Sequence, residues 1–337
     1  MLNFQWLGLF AVLAGGICQG SFMFPMKRAR QWSWENTWLV FAIWAYLLSP
    51  WGIVFASVSN PFRILAATPP TTLLLVGLFG FTWGISAVSF GIGVSAVGMS
   101  LGFAIIAGLA AFTGTVIPFI FLQTHAPSPW RIAVSSIALI LMLAGVAVCS
   151  LSGRWKESKP EKDGILSYRK GLLVCVVSGI MSSSGNLGFV SGEVIVRNAQ
   201  AMGVPGYLAP NLVWACLCVF MFLFNAGYSV LRMRRNRTAA NFLRAGSGWN
   251  WTLGALMGIL WMGGFFLYGA GAGKLGHLGP SLGWGILMST MVMTANILGI
   301  LSGEWRGAPS SARRRLGQGL LLLFVAITML GYANSLR

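Results

Sequence analysis

Residues 80–104 read GFTWGISAVSFGIGVSAVGMSLGFA, and residues 258–284 read GILWMGGFFLYGAGAGKLGHLGPSLGW. Gly80, Trp83, Phe90, Gly91 and Gly93 match Gly258, Trp261, Tyr268, Gly269 and Gly271 at one constant offset. After a three-residue insertion the match resumes, with Gly98, Ser100, Leu101 and Gly102 answering Gly279, Ser281, Leu282 and Gly283. Each copy reads as an apolar helix, a very short turn and a second apolar helix. An internal repeat constrains a fold more than any single motif does, and in membrane proteins the repeat interface often frames the functional site.

Composition names the solvent. The 337 residues are 56% hydrophobic and only 9% charged, whereas a soluble domain carries about a quarter charged residues. Too little charge is available to cover a water-facing surface, so the lipid bilayer is the expected surrounding. The net charge of +17 is not a nucleic-acid signal, because the basic residues lie in loops between apolar runs. The five cysteines all fall within apolar runs and form neither a disulfide framework nor a metal-ligand pattern. No cleavable signal is expected: the first apolar run begins almost at Met1 with no basic segment before it.

A spanning helix needs about 20 largely apolar residues. Ten runs qualify, at 4–25, 36–58, 71–93, 98–122, 131–152, 170–190, 205–230, 250–271, 279–301 and 316–334. The charged segment 153–169, RWKESKPEKDGILSYRK, divides them into two groups of five. The expected organisation is a first five-helix repeat over 1–152, a connecting loop over 153–169 and a second repeat over 170–337.

Charge orients the runs. The loops after the first, fifth, seventh and ninth runs carry most of the basic residues, from Lys27, Arg28 and Arg30 to Arg313, Arg314 and Arg315. The opposite side holds Arg63, Arg131, Arg197, Lys274 and Arg337. The basic side should face the cytoplasm, which puts both termini outside, in the periplasm of a bacterial-type inner membrane. With five helices per group, the second group must enter the membrane upside-down relative to the first. The expected fold is therefore an all-α polytopic membrane protein of ten transmembrane helices in two inverted five-helix repeats. Gly8-Leu9 and Gly16-Ile17 in the first run also match Gly171-Leu172 and Gly179-Ile180 in the sixth. The pairs Gly80/Gly84, Gly98/Gly102, Gly254/Gly258 and Gly279/Gly283 place small residues one turn apart, where helix backbones can approach closely.

The chemistry available is limited. Six acidic residues and two histidines support no metal cluster, nucleophile elbow, phosphate loop or paired-carboxylate site. No cofactor, metal or catalytic residue is expected, and an enzyme is not. The alternative is binding in a central cavity. Trp83 and Phe90 share one helix face, and Trp261 and Tyr268 repeat the spacing with Phe265 between them. Core packing explains such rings as well as ligand contact does. Rings accompanied by amide and hydroxyl groups are, however, what a monosaccharide requires, since its C–H faces stack while its hydroxyls seek partners. Gln19, Asn186 and Ser289 are the candidate partners, with Ser184 and Asn296 beside them, although helix–helix hydrogen bonding is the simpler account of any one of them. For proton coupling Glu193 is the best-placed carboxylate, with an ion pair to Arg197 as the plain alternative. His125 and His277 read as solvated loop residues.

The segments KRARQWSWENTW (27–38) and WGISAVSFGIGVSAVGMSLGFAIIAGLAAFTGTVIP (83–118), with Glu304-Trp305 after the ninth run, resemble the L-rhamnose/proton symporter family of the drug/metabolite transporter superfamily. The resemblance extends over essentially the whole chain. It implies two inverted five-helix halves and uptake of L-rhamnose or a related monosaccharide by proton symport with alternating access. An exporter or exchanger of small amphipathic metabolites, or a membrane protein that binds sugar without moving it, stands as the alternative.

Overall fold

A helix satisfies every backbone N–H and C=O within itself, which is why apolar chains in lipid adopt it. The computed structural model describes residues 2–97, 99–121, 128–156, 167–276 and 279–336, and among them there is no strand. The long helices are α1 (Leu2–Ser21), α2 (Trp34–Ser57), α3 (Pro70–Val97), α4 (Met99–Phe121) and α5 (Pro129–Lys156). They continue with α6 (Arg169–Ala201), α7 (Pro210–Asn236), α8 (Ser247–Lys274), α9 (Gly279–Leu301) and α10 (Ser310–Ser335). Nine helices among the described residues are long and apolar enough to cross a membrane. The tenth, α4, runs over Met99–Phe121 and is apolar over its described stretch Ile105–Ile120.

Two helices are irregular where the sequence suggested continuous ones. In α2 a π-helical turn, Ile43–Leu48, precedes Pro50, and the Ser49 N–H reaches back to the Trp44 carbonyl. Proline has no N–H to give to the carbonyl of residue 46, and the wider turn absorbs that mismatch. The expected sixth helix, 170–190, instead continues to Ala201 in three pieces, Tyr168–Ser182, Ser184–Ser191 and Glu193–Ala201. At the first junction the Ser183 and Ser184 hydroxyls donate to the Ile180 and Met181 carbonyls, the local competition with the helix ladder that serine favours. At the second, Gly192 leaves helical geometry with ψ near 8°. The seventh helix starts at Pro210 rather than at 205, because Pro205 opens a turn in which the Leu208 N–H donates to its carbonyl.

Packing follows the glycines. In lipid no hydrophobic drive presses helices together, so close contact and hydrogen bonds hold them. A methyl added at Gly80 would lie 2.4 Å from the Leu217 carbonyl, and one at Gly258 would lie 2.5 Å from Trp44 Cβ. These glycines seat α3 on α7 and α8 on α2. Gly8 and Gly271 likewise meet between α1 and α8, while Gly93 meets Cys175 between α3 and α6. The pairings exchange in fives: α1 packs on α8 and α9, and α6 on α3 and α4; α5 lies along α10, and α2 crosses α7.

The segment 30–36 is a clasp. The Asn250 side chain bonds both the N–H (3.2 Å) and the carbonyl (2.7 Å) of Arg30. Trp32 Nε1 donates to the Asn241 carbonyl at 3.1 Å. Buried Glu35 accepts from Asn236 Nδ2 (2.9 Å) and Thr238 Oγ1 (2.8 Å). Asn36 Nδ2 donates to the Thr238 carbonyl at 3.0 Å while its Oδ1 accepts from Asn241 Nδ2 at 3.1 Å. The connection between α1 and α2 is thereby tied to the connection between α7 and α8. Lys27 and Glu304 pair between the turns that follow α1 and α9.

Candidate functional site

Seven rings from five helices meet in the interior. Trp261, Phe265 and Tyr268 follow one another along one face of α8, at the spacing that brings side chains together on a helix. Trp83 of α3 lies 5.4 Å from Trp261 and 5.1 Å from Phe265, centroid to centroid. Trp214 of α7 stacks on Phe189 of α6 at 4.7 Å and 11° and approaches Phe265 at 4.9 Å. Trp284 of α9 closes the group, 5.6 Å from Tyr268. Most pairs are tilted or edge-on, the arrangements that the ring quadrupole favours. Tyr46, carried inward on the π-helical turn of α2, reaches Trp261 at 4.9 Å.

Polar groups thread the cluster. The Tyr268 hydroxyl lies 2.6 Å from both Asn186 Oδ1 and the Pro280 carbonyl. Asn186 Nδ2 donates at 2.8 Å to the Gly114 and Pro280 carbonyls. This one amide links α4, α6, α8 and α9. Asn186 sits in the middle piece of α6, so the junctions at Ser183 and Gly192 set where it points. Gln19 Nε2 donates to the Trp261 carbonyl at 2.6 Å, and it reaches that backbone by crossing over Gly264. Trp284 Nε1 donates to the Ala110 carbonyl at 3.1 Å. Seven buried side-chain atoms find no partner among the described residues, and three of them, Trp214 Nε1, Thr115 Oγ1 and Ser289 Oγ, lie on α7, α4 and α9, helices that build or border the cluster. An unmet polar atom inside a bilayer protein costs several kcal/mol, so each requires an explanation.

The residues expected from sequence divide accordingly. Gln19, Trp83, Asn186, Trp261 and Tyr268 come together. Phe90 is half-buried further along α3, and Ser289 is fully buried on α9. Glu193 opens the last piece of α6 with its side chain 64% exposed, and Arg197 stands 3.8 Å away. Asn296 turns back to its own helix, donating to the Val292 carbonyl. His125 and His277 lie outside the described residues. The sequence reading missed Trp214 and Phe189. Trp214 is the fifth residue of α7, a position where tryptophan normally reads as an interfacial belt residue. No charged side chain belongs to the ring cluster.

Fold and composition together define a multi-pass helical membrane protein with an uncharged, aromatic interior. The model of the L-rhamnose-proton symport protein (RhaT) family matches residues 1–335, and the chain belongs to that family. It is 29% identical over 352 residues to an L-rhamnose-proton symporter of Citrobacter koseri, covering 98% of each chain. Proteins of the same name from Shigella boydii and Escherichia coli are 28% identical over 351 and 349 residues, again with 98% of each chain covered. One crystal structure matches 96% of this chain and 95% of its own with a TM-score of 0.61 at 16% identity, a likeness of fold alone. The chain is thus a transport protein of the bacterial inner membrane rather than an enzyme.

Proposed function

We propose that the protein imports L-rhamnose or a closely related monosaccharide together with protons, by alternating access. The observation that carries this reading is the match of the symporter family over residues 1–335, joined to a centre of rings and amides without charge. A neutral deoxy sugar needs that centre. Its methyl group and C–H faces pack on Trp83, Phe90, Trp261 and Tyr268, and its hydroxyls bond Gln19, Asn186 and Ser289. The free hydroxyl of Ser289 is available for such a bond without displacing another. Rings in contact, as Trp83 and Trp261 are here, must part to admit a sugar, and this fits a site that opens to one side at a time.

Ten membrane crossings in two inverted five-helix repeats, 1–152 and 170–337 around the loop 153–169, suit this function. The exchange of helix partners in fives supports the arrangement, which is the one that the resemblance to the drug/metabolite transporter superfamily implies. The distribution of basic residues over the loops favours both termini on the periplasmic side. Glu193 is the carboxylate assigned to the proton. Its side chain is exposed on the surface of the chain, and it lies on the same broken helix as Asn186, two turns further on. A panel of labelled sugars offered to proteoliposomes tests the reading. L-rhamnose should enter and be displaced by its nearest stereochemical relatives; uptake of none of the panel, with folded protein, would refute it.

A further inference from the structure

Trp214 is 0% exposed, yet its indole nitrogen has no acceptor among the described residues. Three other buried or half-buried tryptophans have acceptors: Trp284 donates to the Ala110 carbonyl, Trp38 to Asn225 Oδ1 and Trp32 to the Asn241 carbonyl. The nitrogen of Trp214 instead faces the bare Cα of Gly269 on α8, where an added methyl would lie only 2.9 Å from it. Any side chain at 269 would cover the N–H. Phe189 holds the indole plane by stacking at 4.7 Å, so the direction of the N–H is set by packing. The ring stands between two groups of binding candidates, 6.2 Å from Trp83 and 6.0 Å from Tyr268.

We infer that Trp214 is a substrate-contacting, specificity-determining residue, whose Nε1–H donates to a hydroxyl oxygen of the bound monosaccharide when the rings part. This assignment rests on the sugar-transport reading. Indole nitrogen is a donor only. It therefore rewards a ligand carrying an acceptor oxygen and offers nothing to an ammonium group, which has only donors. A site reading polyols needs such a fixed donor, because amides and hydroxyls alone accept as readily as they give. If Trp214 served packing only, phenylalanine would fill the place equally well, and the buried N–H would be a pure cost. Glycine at 269 leaves the N–H bordered by bare backbone rather than by a side chain.

The test is equilibrium binding of L-rhamnose and its singly deoxygenated analogues to purified protein, in wild type and Trp214→Phe. The variant should lose about tenfold in affinity for L-rhamnose. One deoxy analogue should bind wild type about tenfold more weakly than L-rhamnose does, and bind Trp214→Phe no more weakly than L-rhamnose does. Gly269→Ala, which keeps the indole but presses a methyl against its nitrogen, serves as the second variant and should lose affinity in the same range. Unchanged affinity in folded Trp214→Phe overturns the assignment, as does a loss carried equally by every analogue. Absence of L-rhamnose binding by folded wild type overturns the transport reading itself.

Discussion

The Tyr268 hydroxyl stands 2.6 Å from Asn186 Oδ1, joining α8 to the middle piece of a discontinuous α6. Both residues are fully buried. The bond makes the proposed sugar site sensitive to how the pieces of α6 are set, and it identifies a group that a sugar hydroxyl can replace. Tyr268→Phe keeps the ring and removes the hydroxyl. Hydrogen bonds between membrane helices contribute about 0.6–2 kcal/mol, so the variant should fold with a modestly lower Tm while its KM for L-rhamnose rises several-fold. Asn186→Ala should be worse on both counts, since its amide also holds the Gly114 and Pro280 carbonyls. Thermal unfolding and initial uptake rates measure the two effects.

Helix crossings through glycine should be unforgiving. At Gly16 an added methyl would fall 2.5 Å from Thr290 Cβ, against α9. Gly16→Val should cost about 1–3 kcal/mol or more by overpacking, read as loss of monodisperse protein in size-exclusion chromatography. Gly52→Ala, with nothing within 4 Å of the added carbon, should behave as wild type.

Glu193→Gln separates coupling from binding. The exposed pair with Arg197 contributes little to stability, so the variant should unfold at the wild-type temperature. If Glu193 takes the proton, equilibrium exchange of sugar should persist while accumulation against a concentration gradient is lost. Wild-type accumulation in the variant would show that the proton travels elsewhere.

Asn36→Ala should weaken the clasp and leave the sugar site alone. It leaves the Asn241 amide and the Thr238 carbonyl short of a partner, at about 1–3 kcal/mol for the buried groups. A lower Tm with an unchanged dissociation constant for L-rhamnose is the expected pair of results.

The duplicated glycine and aromatic pattern made the helices, their close crossings and the Trp83–Trp261 meeting legible in the sequence. Periodicity reports which residues are apolar, not where a backbone departs from it. The π-helical turn before Pro50 and the junctions at Ser183 and Gly192 were therefore invisible, although they aim Tyr46 and Asn186 inward. The segment 27–38 identified the family without identifying the site, because the bonds of residues 30–36 tie two connections together rather than line the ring cluster. Trp214 stayed hidden because its importance lies in an N–H that packing leaves unmet, and only neighbours from other helices reveal that.

The central claim is that sugar and proton move together, and proton movement driven by sugar tests it most directly. Proteoliposomes at equal internal and external pH, weakly buffered and made permeable to potassium to dissipate membrane potential, should alkalinise the medium transiently when L-rhamnose is added. The change should vanish with a protonophore and be absent with a sugar that is not transported. Labelled L-rhamnose entering with no pH change would contradict proton symport.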